Sequence, residues 1–171
     1  GYTCSEGPPP YNGTALEEKN ALIVQFIKSD LSIQRRKVYG GAYEDCFYAV
    51  TEDADYIYAV GRSGSGGSPG GRDALIVKFN KSDLSVAAGK IYGGPSEDSF
   101  YAVTQDTDYV YAAGYTFSVA RGYDALIGKF NKTDLSIAAA KVYYGAETAP
   151  EYFYGVTCDG AHVYAVGPGG G

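Results

Sequence analysis

Residues 20–41 read NALIVQFIKSDLSIQRRKVYGG, residues 73–94 DALIVKFNKSDLSVAAGKIYGG, and residues 124–145 DALIGKFNKTDLSIAAAKVYYG. The copies start 53 and then 51 residues apart, and each is followed by a second shared block. Those blocks are EDCFYAVTEDADYIYAVG from Glu44, EDSFYAVTQDTDYVYAAG from Glu97 and EYFYGVTCDGAHVYAVG from Glu151, with Phe47, Phe100 and Phe153 evenly spaced. Self-similarity at a period of this length marks a repeat architecture, in which each unit buries its apolar face against the next. Residues 1–171 are therefore read as one segment, with units at about 1–63, 64–116 and 117–171. The two-residue difference in spacing falls in the loop around Ala146 to Pro150, where surface connections tolerate it.

No stretch has both the length and the 3.6-residue period of a helix. Four short strands per unit are predicted instead, punctuated by turn residues. In the second unit the first strand runs from Ser99 to Thr104, and Asp106-Thr107-Asp108 turns the chain into a second, Tyr109 to Gly114. The third, Ala125 to Phe130, is an apolar run that implies burial on both faces. Asn131-Lys132-Thr133-Asp134 makes the next turn, because Asn and Asp side chains bond their own backbone, and Leu135 to Tyr143 is the fourth strand. The class is all-β, and four antiparallel strands per repeat is what a β-propeller blade requires. Composition agrees: 18 of 171 residues are tyrosine, whose ring packs on a pleated surface while its hydroxyl reaches a polar partner.

The DALIxKF strand, the KxYGG ending and the VYAAGYT strand (Val110 to Thr116) resemble the SBBP-type β-propeller repeat. That family supplies blades of bacterial and archaeal extracellular and surface proteins. The resemblance covers almost the whole chain and implies a propeller fold and an extracellular or cell-surface setting. Where the family usually has Asp-x-x-Gly-Asn between the first two strands, this chain has Asp53-Ala54-Asp55, Asp106-Thr107-Asp108 and Asp159-Gly160-Ala161, so nothing is inferred from that turn.

Gly1-Tyr2-Thr3 matches Gly114-Tyr115-Thr116 at the end of a second strand. The chain is thus expected to open with third and fourth strands, run through two full blades, and close with first and second strands at Val166-Gly167. The terminal half-blades are complementary. Closing one chain on itself would give three blades, whereas propellers have about 4–8, and three would splay beyond the ~10 Å of packed sheets. Two chains forming a six-bladed ring, or a stretch of a longer propeller, are the alternatives. The start at Gly1 fits a processed chain or a piece of something longer.

A net charge of −6 offers no basic stripe for a phosphate backbone, so nucleic acid is not an expected partner. Apolar runs such as Ala74 to Val77 and Ile137 to Ala140 are far shorter than the ~20 residues of a membrane-spanning helix, and no membrane insertion is expected. Three cysteines without CxxC spacing and one histidine make a structural zinc site improbable, and no cofactor is expected.

Acidic residues recur where a fourth strand leads into the next blade: Glu44-Asp45, Glu97-Asp98, and Glu147 and Glu151. Gathered on one face, they would hold a cation or a basic ligand; capping of turns is the plainer reading. Tyr48, Tyr101 and Tyr154, and Tyr58, Tyr111 and Tyr164, suit either stacking on sugars or packing between blades, and strict repetition favours packing. The Gly61 to Gly71 run lacks the Lys-Ser or Lys-Thr of a phosphate loop. His162 beside Asp159 has no nucleophile to complete a triad. Asn12, Asn80 and Asn131 sit in N-glycosylation acceptor sequences, and Asn also simply suits those turns. Strand order puts Cys4 and Cys46 on one face, compatible with a disulfide, and Cys158 on the other.

These features point to a non-enzymatic scaffold or interaction module. The expected partners are other copies of the chain, further blades, a surface protein or a glycan. A propeller domain of a secreted carbohydrate-active enzyme and a lectin-like module are the competing readings.

Overall fold

The computed structural model describes residues 19–41, 43–64, 71–145 and 149–169. It is all-β: β1 (Ala21–Phe26), β2 (Ile33–Tyr39), β3 (Asp45–Glu52), β4 (Tyr56–Ser63), β5 (Asp73–Asn80), β6 (Val86–Tyr92), β7 (Asp98–Gln105), β8 (Tyr109–Ser118), β9 (Gly122–Asn131), β10 (Ile137–Tyr143), β11 (Gly155–Cys158) and β12 (Val163–Val166). The four strands read from the second unit are β7 to β10. Among the described residues no helix is long and apolar enough to cross a membrane.

The strands form open antiparallel sheets in chain order: β1-β2, β3-β4-β5-β6, β7-β8-β9-β10 and β11-β12. Consecutive sheets lie on one another through β3, β7 and β11, the first strand of each. The sheet from Asp45 to Tyr92 is covered on both sides. Ala59, Leu75, Val77 and Phe79 pack against Ile23 and Tyr39 of the preceding pair. Tyr58, Val60, Ala74 and Ile76 pack against Phe100, Val110, Ala112, Phe130 and Leu135 of the following sheet. That double cover explains why the apolar run of β5 is buried along almost its whole length, while β6 at the sheet edge is largely exposed. Each buried Leu, Ile, Val or Phe side chain contributes about 1.5–3 kcal/mol.

An aromatic trio marks the junction of each full sheet with the sheet before it. Phe47 lies 5.8 Å from both Tyr39 and Phe79, and Tyr39 lies 6.3 Å from Phe79. One sheet later Phe130 lies 5.7 Å from Phe100 and 5.2 Å from Tyr92. The Tyr92 hydroxyl donates to the Leu135 carbonyl.

The turns between third and fourth strands repeat in detail. Leu84 and Leu135 are held at φ near +60° with their side chains buried, and Asp83 and Asp134 each accept hydrogen bonds from the backbone and hydroxyl of the serine two residues on. The left-handed conformation costs a non-glycine residue about 1–2 kcal/mol, which burial of leucine offsets.

The first strand of each full sheet carries a bulge. Register shifts between Phe47 and Ala49, and between Phe100 and Ala102, leave Tyr48 and Tyr101 as the extra residues. Gly61 and Gly114 face these bulges, and a Cβ on Gly114 would collide with the Ser99 carbonyl oxygen and fall 2.8 Å from Phe100 Cα. Gly114→Ala is therefore expected to cost about 2–4 kcal/mol in urea unfolding. Gly160→Ala, with open space around its Cβ, should change stability by less than about 0.5 kcal/mol. Equal midpoints for the two variants would show that the bulge does not demand glycine.

Candidate functional site

The bulges aim Tyr48 and Tyr101 into a ladder that crosses the sheets: ring centroids are 5.3 Å apart for Tyr48 and Tyr101, and 5.4 Å for Tyr101 and Tyr154. Tyr115, Tyr123 and Tyr152 extend the cluster at 5.2–5.4 Å. These rings pack on one another across the sheets, and Tyr154 is the most exposed of them, at 57%. Tyr58 and Tyr111 are buried and donate their hydroxyls to Asp53 (2.8 Å) and Asp106 (2.7 Å), whereas Tyr164 makes the same bond to Asp159 at 2.8 Å from a half-exposed position.

The acidic residues at the linker end divide into two sets. Glu44 bridges Arg62 (3.1 Å) and Arg72 (3.0 Å), and Arg72 reaches on to Glu97 (3.3 Å), so these carboxylates tie one sheet to the next. Burial resists ionisation of Glu44, but the two guanidinium groups outweigh it and hold its carboxyl below the usual value. Asp45, Asp98 and Glu151 instead turn inward and are buried. Asp45 accepts from Gly41 N at 3.0 Å and Asp98 from Gly94 N at 3.1 Å. Glu147 lies outside the described residues.

Each inward carboxylate faces the first residue of the shared strand motif: Asn20, Asp73 and Asp124. A Cβ on Gly93 would collide with Asp73 Oδ1 and fall 2.8 Å from Asp98 Oδ2, so both carboxyls crowd over that glycine. Gly40 stands in the same way between Asn20 and Asp45. Burial, then the neighbouring acid, pushes the Asp73 carboxyl up, and the same two causes act on Asp124 beside Glu151. Asp73 Oδ1 and Glu151 Oε1 have no hydrogen-bond partner among the described residues. Where Asn20 stands, an amide meets the next carboxylate without a second negative charge.

At the opposite, turn end of the sheets, Asp53 accepts from Asp55 N (3.1 Å), Tyr56 N (2.9 Å) and Tyr58 Oη, and its carboxylate pairs with Lys132 of the following sheet at 3.2 Å. Lys132 also donates to Gln105. Lys78, buried in β5, donates to the Lys132 carbonyl at 2.7 Å and sits 3.7 Å above the Tyr56 ring. Desolvation pulls its pKa down, and only partly does Asp53 oppose that. Lys129 repeats the placement 3.7 Å above Tyr109. The open cleft between these turns is lined by Asp53, Tyr58, Lys78, Gln105, Asp106 and Lys132.

The lysines do not stand out in the sequence as site residues. The signal was present as a charged residue, Lys78 or Lys129, inside an otherwise apolar run. His162 is exposed, with Nδ1 3.6 Å from Asp159 Oδ1. Asn80 and Asn131 donate through Nδ2 to the hydroxyls of Ser85 (2.8 Å) and Ser136 (2.9 Å), bracing the turns they open. Cys46 is buried near the start of β3 and Cys158 ends β11, donating to the Gln105 carbonyl at 3.5 Å. Asn12, Cys4 and with it the Cys4 to Cys46 bridge, and most of the glycine run lie outside the described residues.

No family model matches the chain, and no curated protein matches its sequence.

The carboxyl pair generates a prediction with a defined sign. Asp73 in the folded chain binds its proton more tightly than in the unfolded chain. Its contribution to stability is therefore full below the ordinary carboxylate pKa of 3.8 and is lost as pH rises through the raised folded value. Asp73→Asn reproduces the Asn20 arrangement, removes that loss, and should raise the melting temperature at pH 7 by about 2–4 °C, the equivalent of about 1 kcal/mol. Calorimetry at pH 4 and pH 7 checks it: the variant should show the smaller difference between the two. A lower melting temperature at pH 7 would mean that a bound cation needs both carboxylates.

Proposed function

We propose that the chain is a non-enzymatic β-propeller segment of SBBP type. It acts as a scaffold or interaction module outside the cell or on its surface and assembles through its terminal strand pairs. One observation carries this reading. Among the described residues the two full sheets run first to fourth strand, β3-β4-β5-β6 and β7-β8-β9-β10, while β11-β12 holds a first and second strand and β1-β2 a third and fourth. The two pairs are complementary.

The contacts of consecutive sheets through β3, β7 and β11 and the ladder of Tyr48, Tyr101 and Tyr154 support a ring with first strands at its axis. Support for a structural role comes from the polar groups at both ends of the sheets. Arg62, Arg72, Lys78 and Lys132 serve contacts between strands and sheets, which leaves them committed to architecture. Propellers have about 4–8 blades, so two chains supplying six is the natural closure.

Light scattering on the purified chain should give a particle of two chains, about 36 kDa from the 18.1 kDa chain. A particle of one chain at micromolar concentration would sink assembly through the terminal pairs.

A further inference from the structure

Resting on that reading, we infer that the β1-β2 pair of one copy seats on the β12 edge and on the open face of the Asp98–Tyr143 sheet of a second copy. The register is the one that the two full sheets already hold. Second and third strands pair Ile57 with Phe79 and Ala59 with Val77 in one sheet, and Val110 with Phe130 and Ala112 with Gly128 in the next. Transferred by sequence alignment, the contact between copies pairs Val163 with Phe26, Ala165 with Val24, and Val166 with Ile23.

Burial shows what this surface is built to meet. Phe79 and Phe130 are at most 1% exposed, and Phe26 at their position is 50% exposed. Leu84 and Leu135 are at most 1% exposed, and Leu31 is 72% exposed. The complementary half is equally bare. Tyr92 caps Phe130 and Leu135 across a junction, whereas Tyr143 at its position in β10 is 55% exposed. Tyr143 already lies 6.4 Å from Phe153, as Tyr39 lies by Phe47. That trio lacks only its third ring, and Phe26 is a ring without its trio.

Charge agrees with shape. Lys132 pairs with Asp53 of the preceding sheet, and Lys78 donates back to the Lys132 carbonyl. Lys28 stands at the Lys132 position, so the seated pair places its ammonium on Asp106 of the second copy and its carbonyl under Lys129. Among the described residues β1-β2 carries what the β12 edge calls for, Phe26 for Tyr143 and Lys28 for Asp106, so the occupant we infer is a second copy, and mutual exchange of pairs about a two-fold axis closes the ring.

Disulfide trapping tests it in a Cys4→Ser, Cys46→Ser, Cys158→Ser background, where serine at 46 copies the buried Ser99. Antiparallel neighbours alternate between close and wide pairs, so two variants are made, Ala165→Cys with Val24→Cys and Val166→Cys with Ile23→Cys. At least one should oxidise to a covalent two-chain product on a non-reducing gel. Ala165→Cys with Gln25→Cys should not, because a one-residue slip sends the side chains to opposite faces. Phe26→Asp, at a site half exposed in the single chain, should leave the circular dichroism unchanged and raise the dimer dissociation constant at least about 30-fold. Val119→Asp, 92% exposed, should leave that constant unchanged. A disulfide within one chain overturns the second copy as occupant. Neither pair forming in a particle that still holds two chains overturns this register and leaves assembly standing, whereas a one-chain particle overturns both.

Discussion

Everything in this fold depends on one sheet lying against the next. A repeat sheet that is apolar on both faces cannot bury them by itself, and among the described residues the buried clusters lie at the junctions. The trios Tyr39, Phe47, Phe79 and Tyr92, Phe100, Phe130 draw each ring from a different strand, and the tyrosine comes from the sheet before. A sheet therefore becomes stable when its predecessor supplies the tyrosine and its successor covers the opposite side. Stability in such a stack is a sum over neighbours.

Local strain is distributed so that these junctions hold it in place. The leucine held left-handed in each third-to-fourth turn is tolerable where its side chain enters the next core, as at Leu84 and Leu135. Leu31 adopts the same φ of 57° with its side chain in water, so the strain there has no local compensation. Sequence repetition has copied a turn whose energetics balance only when the sheet is covered. The bulges work differently: Gly61 and Gly114 let two strands approach to backbone contact, which turns Tyr48 and Tyr101 toward the neighbouring sheet.

Strand order and strand type were legible because they rest on period, turn chemistry and repetition, all local. The apolar run of β5 announced its two-sided burial in the same way. The tyrosines at 48, 101 and 154 were legible as packing residues because a ligand platform has no reason to recur at a fixed interval. The acidic residues were less so: Glu44 and Asp45 are adjacent at the entry to β3, yet one reaches arginines and the other turns inward. Neither Arg62 nor Arg72 is close in sequence to Glu44, so that bridge needed the fold. The lysine braces were hidden for a further reason. Lys132 meets Asp53 across 79 residues of chain, and spacing within one repeat carries no information about which sheet follows which.

The aromatic and polar contacts at a junction divide the labour of holding it and of choosing it. Rings and leucines bury area without much regard to register, and an unpaired strand edge accepts many partners. A lysine that must land on one carboxylate while its carbonyl meets a second ammonium tolerates no slip, because one residue of shift carries the side chain to the other face. The Lys132, Asp53 and Lys78 arrangement is then best understood as a register pin whose net energy is modest. Lys28 and Asp106 occupy the equivalent positions in the β1-β2 and β7-β8 turns, so the contact inferred between copies would carry the same pin.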